Sequence, residues 1–218
     1  MTSPDKTSEN PLLPPWASLA PVEYAYPYEE THNLRSGPDL HPHLLGLLPY
    51  VGVWRGRGQG GYPTLEGDDF HFAQEVRISH DGRPFLSFES RAWIIDEDAK
   101  PIRPAGREIG WWRPVVVNDR ITDDVEALMT SPTGIMEMYL GKTKGTTQLE
   151  LVTDLVVRTS TAKEVTAGHR LFGIVDGALL YAYDMAAEGL PLTRTSPPAC
   201  SASPADALMG VVHVVLTT

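Results

Sequence analysis

The sequence predicts an all-β protein, an antiparallel up-and-down barrel of about ten strands with one short helix at the barrel entrance. Two observations predict this fold. Segments of alternating apolar and polar residues follow one another from Gly52 onward, and short turn sequences separate most of them. Because short turns join antiparallel neighbours, and because closure removes unpaired strand edges, we expect a closed barrel.

Composition and net charge argue against several classes of protein. The chain has 218 residues, enough for one sizeable core. Its formal net charge of -10 argues against a nucleic-acid partner or an anionic membrane surface, since both require clustered Lys and Arg. We expect no membrane span and no secretory signal. The single cysteine, Cys200, permits no internal disulfide, so a cytoplasmic location is expected.

Residues 1–38 differ from the predicted barrel domain of residues 39–218. They are rich in Pro and show neither the strand period nor the helix period. The aromatic residues of this N-terminal arm are Trp16, Tyr24, Tyr26 and Tyr28. Two interpretations stay open: a flexible tail, or an arm whose aromatic residues dock on the barrel or on a partner.

A short helix is predicted at the start of the barrel domain. Asp39 can act as its N-cap, the leucines of "HLLGLL" follow, and Pro49 ends it. His41 and His43 lie two residues apart and would point to different faces of a helix, so we do not interpret them as a metal site.

The strands follow in order. "DFHFAQEVRISH" alternates apolar and polar residues as a half-buried strand does, and Asp81-Gly82 supplies the turn into "PFLSFESRAWII". The series continues through "IGWWRPV", "DDVEALMT", "GIMEMYLG", "TQLELVTDLVVRT", "KEVTAGHRLFGIV", "ALLYAYDMA" and "MGVVHVVLTT", with turns at 131–134 and 176–177. A barrel of this width leaves a cavity, in which we expect the function to reside.

The first strand begins with "GVWRGRGQGGYPT". Its glycines at alternate positions leave one strand face without side chains. No Gly-Lys-Ser/Thr and no helix follow, which argues against a phosphate-binding loop. We therefore predict a barrel-closing strand in which Trp54 plugs one end.

The residues Gly52, Trp54, Gly56 and Gly58 match G-x-W-x-G-x-G, the hallmark of the nitrobindin family, which the chain resembles from residues 42 to 192. "EVRISHDGRPFLSFESRAW", "GWWRP", "SPTGIMEM" and "KEVTAGHRLFGIVDGALLYAYDMAAEGLPL" carry the resemblance, which is strongest to mycobacterial-type members with an N-terminal extension. The family implies a barrel like that of lipocalins or fatty-acid-binding proteins, with haem b in its mouth. One histidine ligates the iron, and the ferric form scavenges nitric oxide or isomerises peroxynitrite.

In the family, that histidine lies in a Pro-Leu-x-Pro-His-Leu segment before the last strand, where this sequence reads "PLTRTS". The resemblance places Thr195 at the ligand's position, and a neutral hydroxyl is a weak iron ligand. The resemblance also assigns four residues to the cavity lining, namely Ile102, Arg103, Thr130 and Met185.

We therefore expect a nitrobindin-like barrel that has lost its haem ligand, with no cofactor, no metal and no catalytic residue. Its cavity would take a small apolar or fatty-acid-like molecule, whose carboxylate Arg103 or Arg194 would meet. The alternative is a haem-binding peroxynitrite isomerase or nitric oxide scavenger that uses His213, His169 or Cys200 as the iron ligand. A third interpretation is a partner-binding module acting through the aromatic arm. The oligomeric state stays open.

Overall fold

The computed structural model describes residues 24–60, 70–187 and 211–217, and these residues form ten antiparallel strands in one closed barrel. Each strand pairs with its neighbours in the chain, and the last strand pairs with the first. The strands are β1 (Gly52–Gly60), β2 (Phe70–Ser79), β3 (Leu86–Ile95), β4 (Pro101–Val117), β5 (Arg120–Ser131), β6 (Ile135–Lys144), β7 (Gln148–Arg158), β8 (Val165–Val175), β9 (Ala178–Ala187) and β10 (Val211–Thr217). The predicted all-β barrel is confirmed.

One end of the barrel, where β1 begins, is closed by a 3₁₀ helix, Pro42–Tyr50. Leu44, Leu47 and Tyr50 of this helix are buried. The Tyr50 ring packs edge-on against Trp112, with 5.7 Å between the ring centroids. The helix therefore caps the hydrophobic core with its own apolar side chains.

The expected position of the helix was wrong. The helix lies at the end of the barrel opposite the cavity opening and not at the barrel entrance. Its leucines need apolar partners, and only the core at this end supplies them. His41 is its N-cap in place of Asp39, and the Nδ1 atom of His41 accepts a hydrogen bond from the backbone N–H of His43 at 3.2 Å. Pro49 lies inside the helix. In the described ranges, no helix is long and apolar enough to cross a membrane.

Aromatic side chains fill the barrel near its closed end. The Trp54 indole Nε1 donates a hydrogen bond to the backbone oxygen of Tyr50 at 2.8 Å, which fixes the first strand against the helix. Trp112 stacks on Phe88 at 5.5 Å and meets Phe172 edge-on at 4.9 Å, both between ring centroids. This half of the barrel is a packed core.

The tight turns use residues that tolerate a left-handed backbone. Asp176 and Gly177 have φ angles of 51° and 78° between β8 and β9. Asn118 and Asp119, at 51° and 59°, turn β4 into β5. Such pairs match the twist of antiparallel hairpins, so they set the register of these strands.

The described part of the arm contacts the barrel beside the β2–β3 connection. The backbone N–H groups of Thr31 and His80 each donate to the other residue's oxygen, at 2.8 and 2.9 Å. The Glu30 carboxylate accepts hydrogen bonds from the hydroxyls of Ser79 at 3.0 Å and Ser87 at 2.7 Å. The tyrosines that precede these contacts are exposed, namely Tyr24, Tyr26 and Tyr28.

The buried imidazole of His80 predicts a pH dependence of stability. The residue is 1% exposed, and neither ring nitrogen has a hydrogen-bond partner among the described residues. Burial lowers the pKa of His80, although Asp81 acts in the opposite direction. The unfolded chain then binds a proton more readily than the folded one, so the free energy of unfolding should fall as the pH drops below about 6.5. Urea unfolding between pH 8 and pH 5 measures this slope.

The substitution His80→Phe should flatten this part of the pH profile, because it removes the buried titrating group. The matched control is His71→Phe, at an exposed position of β2, which should keep the slope. An unchanged slope in His80→Phe would show that other groups cause the pH dependence.

Candidate functional site

The cavity occupies the half of the barrel away from the helix and has a volume of about 630 Å³. Ligand pockets for small molecules fall between about 300 and 1,000 Å³. Its apolar walls are formed by Phe70, Phe72, Ala92, Ile94, Ile135 and Met185. These residues lie at the strand ends far from the helix, so the cavity opens there, and we call this end the mouth.

The glycines of β1 leave room for this cavity. Trp54 is buried, and strand alternation therefore turns Gly56 and Gly58 toward the interior as well. In the register, Gly56 pairs with Gln74 and Gly58 pairs with Phe72, both of which line the cavity. Because neither glycine carries a side chain, the space beside β1 stays open.

Hydrogen-bonded side chains separate the cavity from the packed core. The Tyr181 hydroxyl donates to the Gln74 Oε1 at 2.6 Å, and the Gln74 Nε2 donates to the Ser90 Oγ at 2.6 Å. Tyr181 also stacks on Phe172 of the core, with 5.2 Å between centroids. The side chain of Tyr181 is thus apolar toward the core and polar toward the cavity.

The arginine cluster, formed by Arg170, Glu108, Glu137, Tyr139 and Tyr183, lies against the cavity. Arg170 is 1% exposed. Its two terminal nitrogens donate to the two Glu108 oxygens, one of them at 2.9 Å, in a fork that matches carboxylate geometry. Its Nε donates to the Tyr139 hydroxyl at 2.9 Å, and one terminal nitrogen reaches Glu137 at 3.3 Å.

The two tyrosines complete the cluster. The Arg170 guanidinium lies 4.0 Å from the Tyr183 ring centroid and 5.2 Å from that of Tyr139, which adds cation–π attraction. The Tyr183 hydroxyl donates to Glu137 at 3.1 Å. A side chain at Gly168 would meet this cluster, since an added Cβ would lie 2.8 Å from the Tyr139 hydroxyl and 3.0 Å from the Glu137 Oε1. Only glycine fits there without displacing these groups.

The cluster keeps its arginine charged. Burial disfavours the charge of Arg170, but Glu108, Tyr139 and Tyr183 together outweigh this effect and raise the pKa of the guanidinium well above its ordinary value. Burial raises the pKa of both Tyr139 and Tyr183, so both hydroxyls stay protonated at neutral pH. With two carboxyl groups around one guanidinium, the cluster has a formal charge of -1.

Two further arginines lie at the mouth. Arg103 and Arg107 line the cavity and are exposed. Arg107 pairs with the Glu89 carboxylate at 3.0 Å. Arg103 donates to the backbone oxygen of Pro104 at 3.3 Å, and in the described part of the chain no carboxylate lies within ion-pairing distance of it. Arg103 is therefore placed to bind an acidic group of a ligand.

The residues that the resemblance assigned to the cavity divide into two groups. Arg103 and Met185 line the cavity. Ile102 is 61% exposed and is not part of the described lining, and Thr130 lies on the outer face. The reason is alternation: Met129 is buried in the core, which turns its neighbour Thr130 outward.

The structure places one alternative iron ligand outside the barrel. The His169 ring lies between Glu150 at 3.0 Å and Asp184 at 3.3 Å, on the face opposite the cavity. It cannot reach a ligand in the cavity. For His213 the structure gives the backbone pairing, opposite Gln59 and Ala182. The remaining predicted residues, Arg194, Thr195 and Cys200, lie outside the described residues.

The arginine cluster was not predicted from the sequence. Arg170 stands two residues before the core residue Phe172, so period two places it on the inward face. A charged residue at an inward strand position was the available signal. The sequence held no signal for its partners, because Glu108 and Glu137 are 62 and 33 residues away along the chain.

Removing the guanidinium tests the cluster. The substitution Arg170→Met should lower the free energy of unfolding by about 3–5 kcal/mol, because it leaves buried carboxylates without a partner. Arg113→Met is the matched control, since Arg113 forms an exposed ion pair with Glu126 at 3.6 Å and such pairs contribute about 0–1 kcal/mol. Urea unfolding measures both. Equal effects of the two substitutions would contradict a structural role for the cluster.

Known proteins with similar sequences belong to a family of β-barrel domains. Residues 43–197 match the family model described as THAP4-like, heme-binding beta-barrel domain. A relative from Salinispora tropica, named peroxynitrite isomerase, is 70% identical over 187 residues, which cover 86% of this chain and 93% of the relative. A ferric nitrobindin-like protein from Saccharopolyspora erythraea is 46% identical over 158 residues, 72% of each chain.

A solved structure has the same fold. The crystal structure of Rv2717c from M. tuberculosis superposes with a TM-score of 0.63 at 30% identity, covering 82% of this chain and 98% of that one. The resemblance to nitrobindins noted in the sequence is thereby confirmed. The chain belongs to the family of THAP4-like, haem-binding β-barrel domains.

Proposed function

We propose that this chain has the barrel of a peroxynitrite isomerase, with the mouth cavity as its haem site, and that Thr195 stands where a histidine would hold the iron. The observation that carries the proposal is the 70% identity to a protein named peroxynitrite isomerase, over 93% of that protein's length. When bound, ferric haem would supply the iron centre for chemistry on a small oxidised nitrogen species. The chain's own residues would hold, orient and shield it.

The walls and the mouth of the cavity fit this group. A flat apolar macrocycle needs apolar walls, and Phe72, Ile94 and Met185 provide them. The acidic groups of haem need a cation, and Arg103 provides one at the mouth, whereas Arg107 is already paired with Glu89. The acidic groups would therefore lie at the mouth and the apolar edge toward the interior.

The iron ligand is the part of the site that the described walls do not contain. Among the described lining residues there is no histidine and no cysteine, and Met185 is the only sulfur donor. His169 is excluded by its place on the outer face. Residues 188–210 connect Ala187 to Val211, and both of these residues lie at the mouth. We therefore infer that a residue of this connection would hold the iron, at the position where the resemblance places Thr195.

The genetic code offers an explanation for threonine at this position. One choice of codons for residues 193–200 is ACC CGC ACC TCT CCG CCC GCC TGC. A single additional C after the first codon makes the same nucleotides read Thr-Pro-His-Leu-Ser-Ala-Arg-Leu. Together with Pro191 and Leu192, this completes Pro-Leu-x-Pro-His-Leu and puts a histidine at position 195. We infer that a one-nucleotide shift in the gene separates this chain from its haem-binding relatives.

Sequencing the gene across these codons tests that inference directly. We expect the codon choice above, in which one inserted nucleotide restores the histidine. Codons from which no single insertion or deletion produces the histidine would overturn it.

A second candidate function is the binding of a small amphipathic molecule by a barrel without haem. Thr195 favours it, because a threonine hydroxyl is a weak iron ligand. The arginine cluster restricts how such a ligand would bind. Because Glu108 and Glu137 already neutralise Arg170, a carboxylate would gain nothing at the cavity floor and would be repelled by the excess carboxyl group. A fatty-acid-like ligand would therefore keep its head group at Arg103.

Restoring the ligand separates the two functions. The double substitution Arg194→Pro and Thr195→His should bind ferric haem with a saturable Soret band at one haem per chain, and should bind it at least about tenfold more tightly than the unmodified chain. Absorbance titration measures the affinity, and nitrate yield from peroxynitrite measures the activity.

The matched control is Thr130→His, which places a histidine on the outer face of the barrel. This substitution should not increase haem affinity. If the double variant shows no Soret band, the cavity is not a haem site and the amphipathic-ligand function is supported. If the unmodified chain already binds one haem tightly, another residue is the ligand, and His213→Ala and Cys200→Ala identify it.

A further inference from the structure

The outer face of the barrel carries an apolar groove that the haem site does not use. This outer groove has a volume of about 370 Å³. Its apolar lining includes Trp111, Leu128, Met136, Met138, Leu155 and Val157. Trp111 is 45% exposed, and Met136 and Leu155 are each 53% exposed. A contiguous exposed apolar surface of this kind marks a docking site.

Strand register makes the groove continuous. Trp111 of β4 pairs with Leu128 of β5, which pairs with Met138 of β6, which pairs with Leu155 of β7. Cross-strand partners face the same side of a sheet, so these four side chains form one row. The barrel has no free strand edge among the described strands, so an occupant would contact side chains rather than add a strand.

The same row leads to the anchor of the N-terminal arm. On the other side of Trp111, its β3 partner is Ser87. The Ser87 hydroxyl donates to the Glu30 carboxylate at 2.7 Å. The arm is therefore fixed to the barrel about 4.8 Å, one strand spacing, from the edge of the groove.

We propose that residues 11–22 of the arm dock in the outer groove of the same chain. This segment reads "PLLPPWASLAPV" and contains no charged residue. The apolar residues that line the groove offer Trp16 and the segment's leucines a matching uncharged surface. A Pro-rich segment needs no hydrogen bonds from a partner strand, which suits the face of a closed barrel.

The length of the arm permits this contact. The chain takes fourteen residue steps from Trp16 to the anchor at Glu30. In a polyproline conformation they span up to about 43 Å at about 3.1 Å per residue. The row from β4 to β7 crosses three strand spacings, about 14 Å. Because the arm is covalently attached, docking within one chain is favoured over capture of a second copy at low concentration.

A photo-cross-linker tests the contact in the full-length chain. We would place p-benzoylphenylalanine at position 16, irradiate the chain at low micromolar concentration and map the products by mass spectrometry. The expected products are cross-links within one chain to the residues that line the outer groove. Leu128→Arg should lower their yield about tenfold, because it places a charge in the apolar contact.

The matched control is Val175→Arg, on β8, where the valine is 52% exposed outside the groove. It should leave the yield unchanged. Circular dichroism checks that each variant folds, and Met136→Arg replaces Leu128→Arg if that variant does not. Cross-links to another surface, cross-links that double the mass and so join two chains, or the absence of cross-links would each overturn the proposal.

Discussion

The buried guanidinium of Arg170 imposes the constraint on which the interior of this barrel depends. A charge that is 1% exposed is tolerated only if neighbouring groups neutralise it and accept its hydrogen bonds. Three other strands supply those groups, with Glu108 on β4, Glu137 and Tyr139 on β6, and Tyr183 on β9. The cluster therefore ties distant parts of the barrel together and fixes their relative positions.

This constraint also divides the interior into a packed half and an open half. On one side, the aromatic core around Trp112 and the 3₁₀ helix fill the barrel. On the other side, Gly56 and Gly58 contribute no side chains, and the cavity opens to the mouth. Since the floor already has more carboxyl groups than cations, the acidic end of any ligand belongs at the mouth. Haem and an amphipathic ligand would therefore bind with the same orientation. Only the presence of a residue that holds the iron would distinguish a haem site from a site for an amphipathic molecule.

Much of the fold follows from local patterns in the sequence. Period two and turn residues such as Asp176-Gly177 predicted the antiparallel barrel, because both act over a few residues. The location of the helix depends on long-range packing with Trp112 and did not follow from its own sequence. Its first residue was also misplaced, because the imidazole of His41 caps it where Asp39 was expected.

The site was harder to predict than the fold. Thr130 was assigned by resemblance, yet the burial of Met129 turns it outward. Register irregularities near Trp93 and Ile95 shift the phase of the paired β4 segment that contains Ile102. The arginine cluster joins residues far apart in the chain, so only the closed barrel brings them together. The assignment of position 195 stays a prediction from the family pattern, because this residue lies outside the described residues.

Chemical rescue with imidazole tests most directly the claim that the cavity is a haem site that lacks only a residue to hold the iron. The unmodified chain would be mixed with ferric haem, with and without imidazole, and passed over a gel-filtration column while Soret absorbance is followed. We predict that one haem per chain co-elutes when imidazole is present and much less without it. Ala92→Trp, which fills the cavity, should abolish co-elution, and Ala73→Trp, on the outer face of β2, should not. Failure of imidazole to promote co-elution would contradict the claim, as would full loading without imidazole.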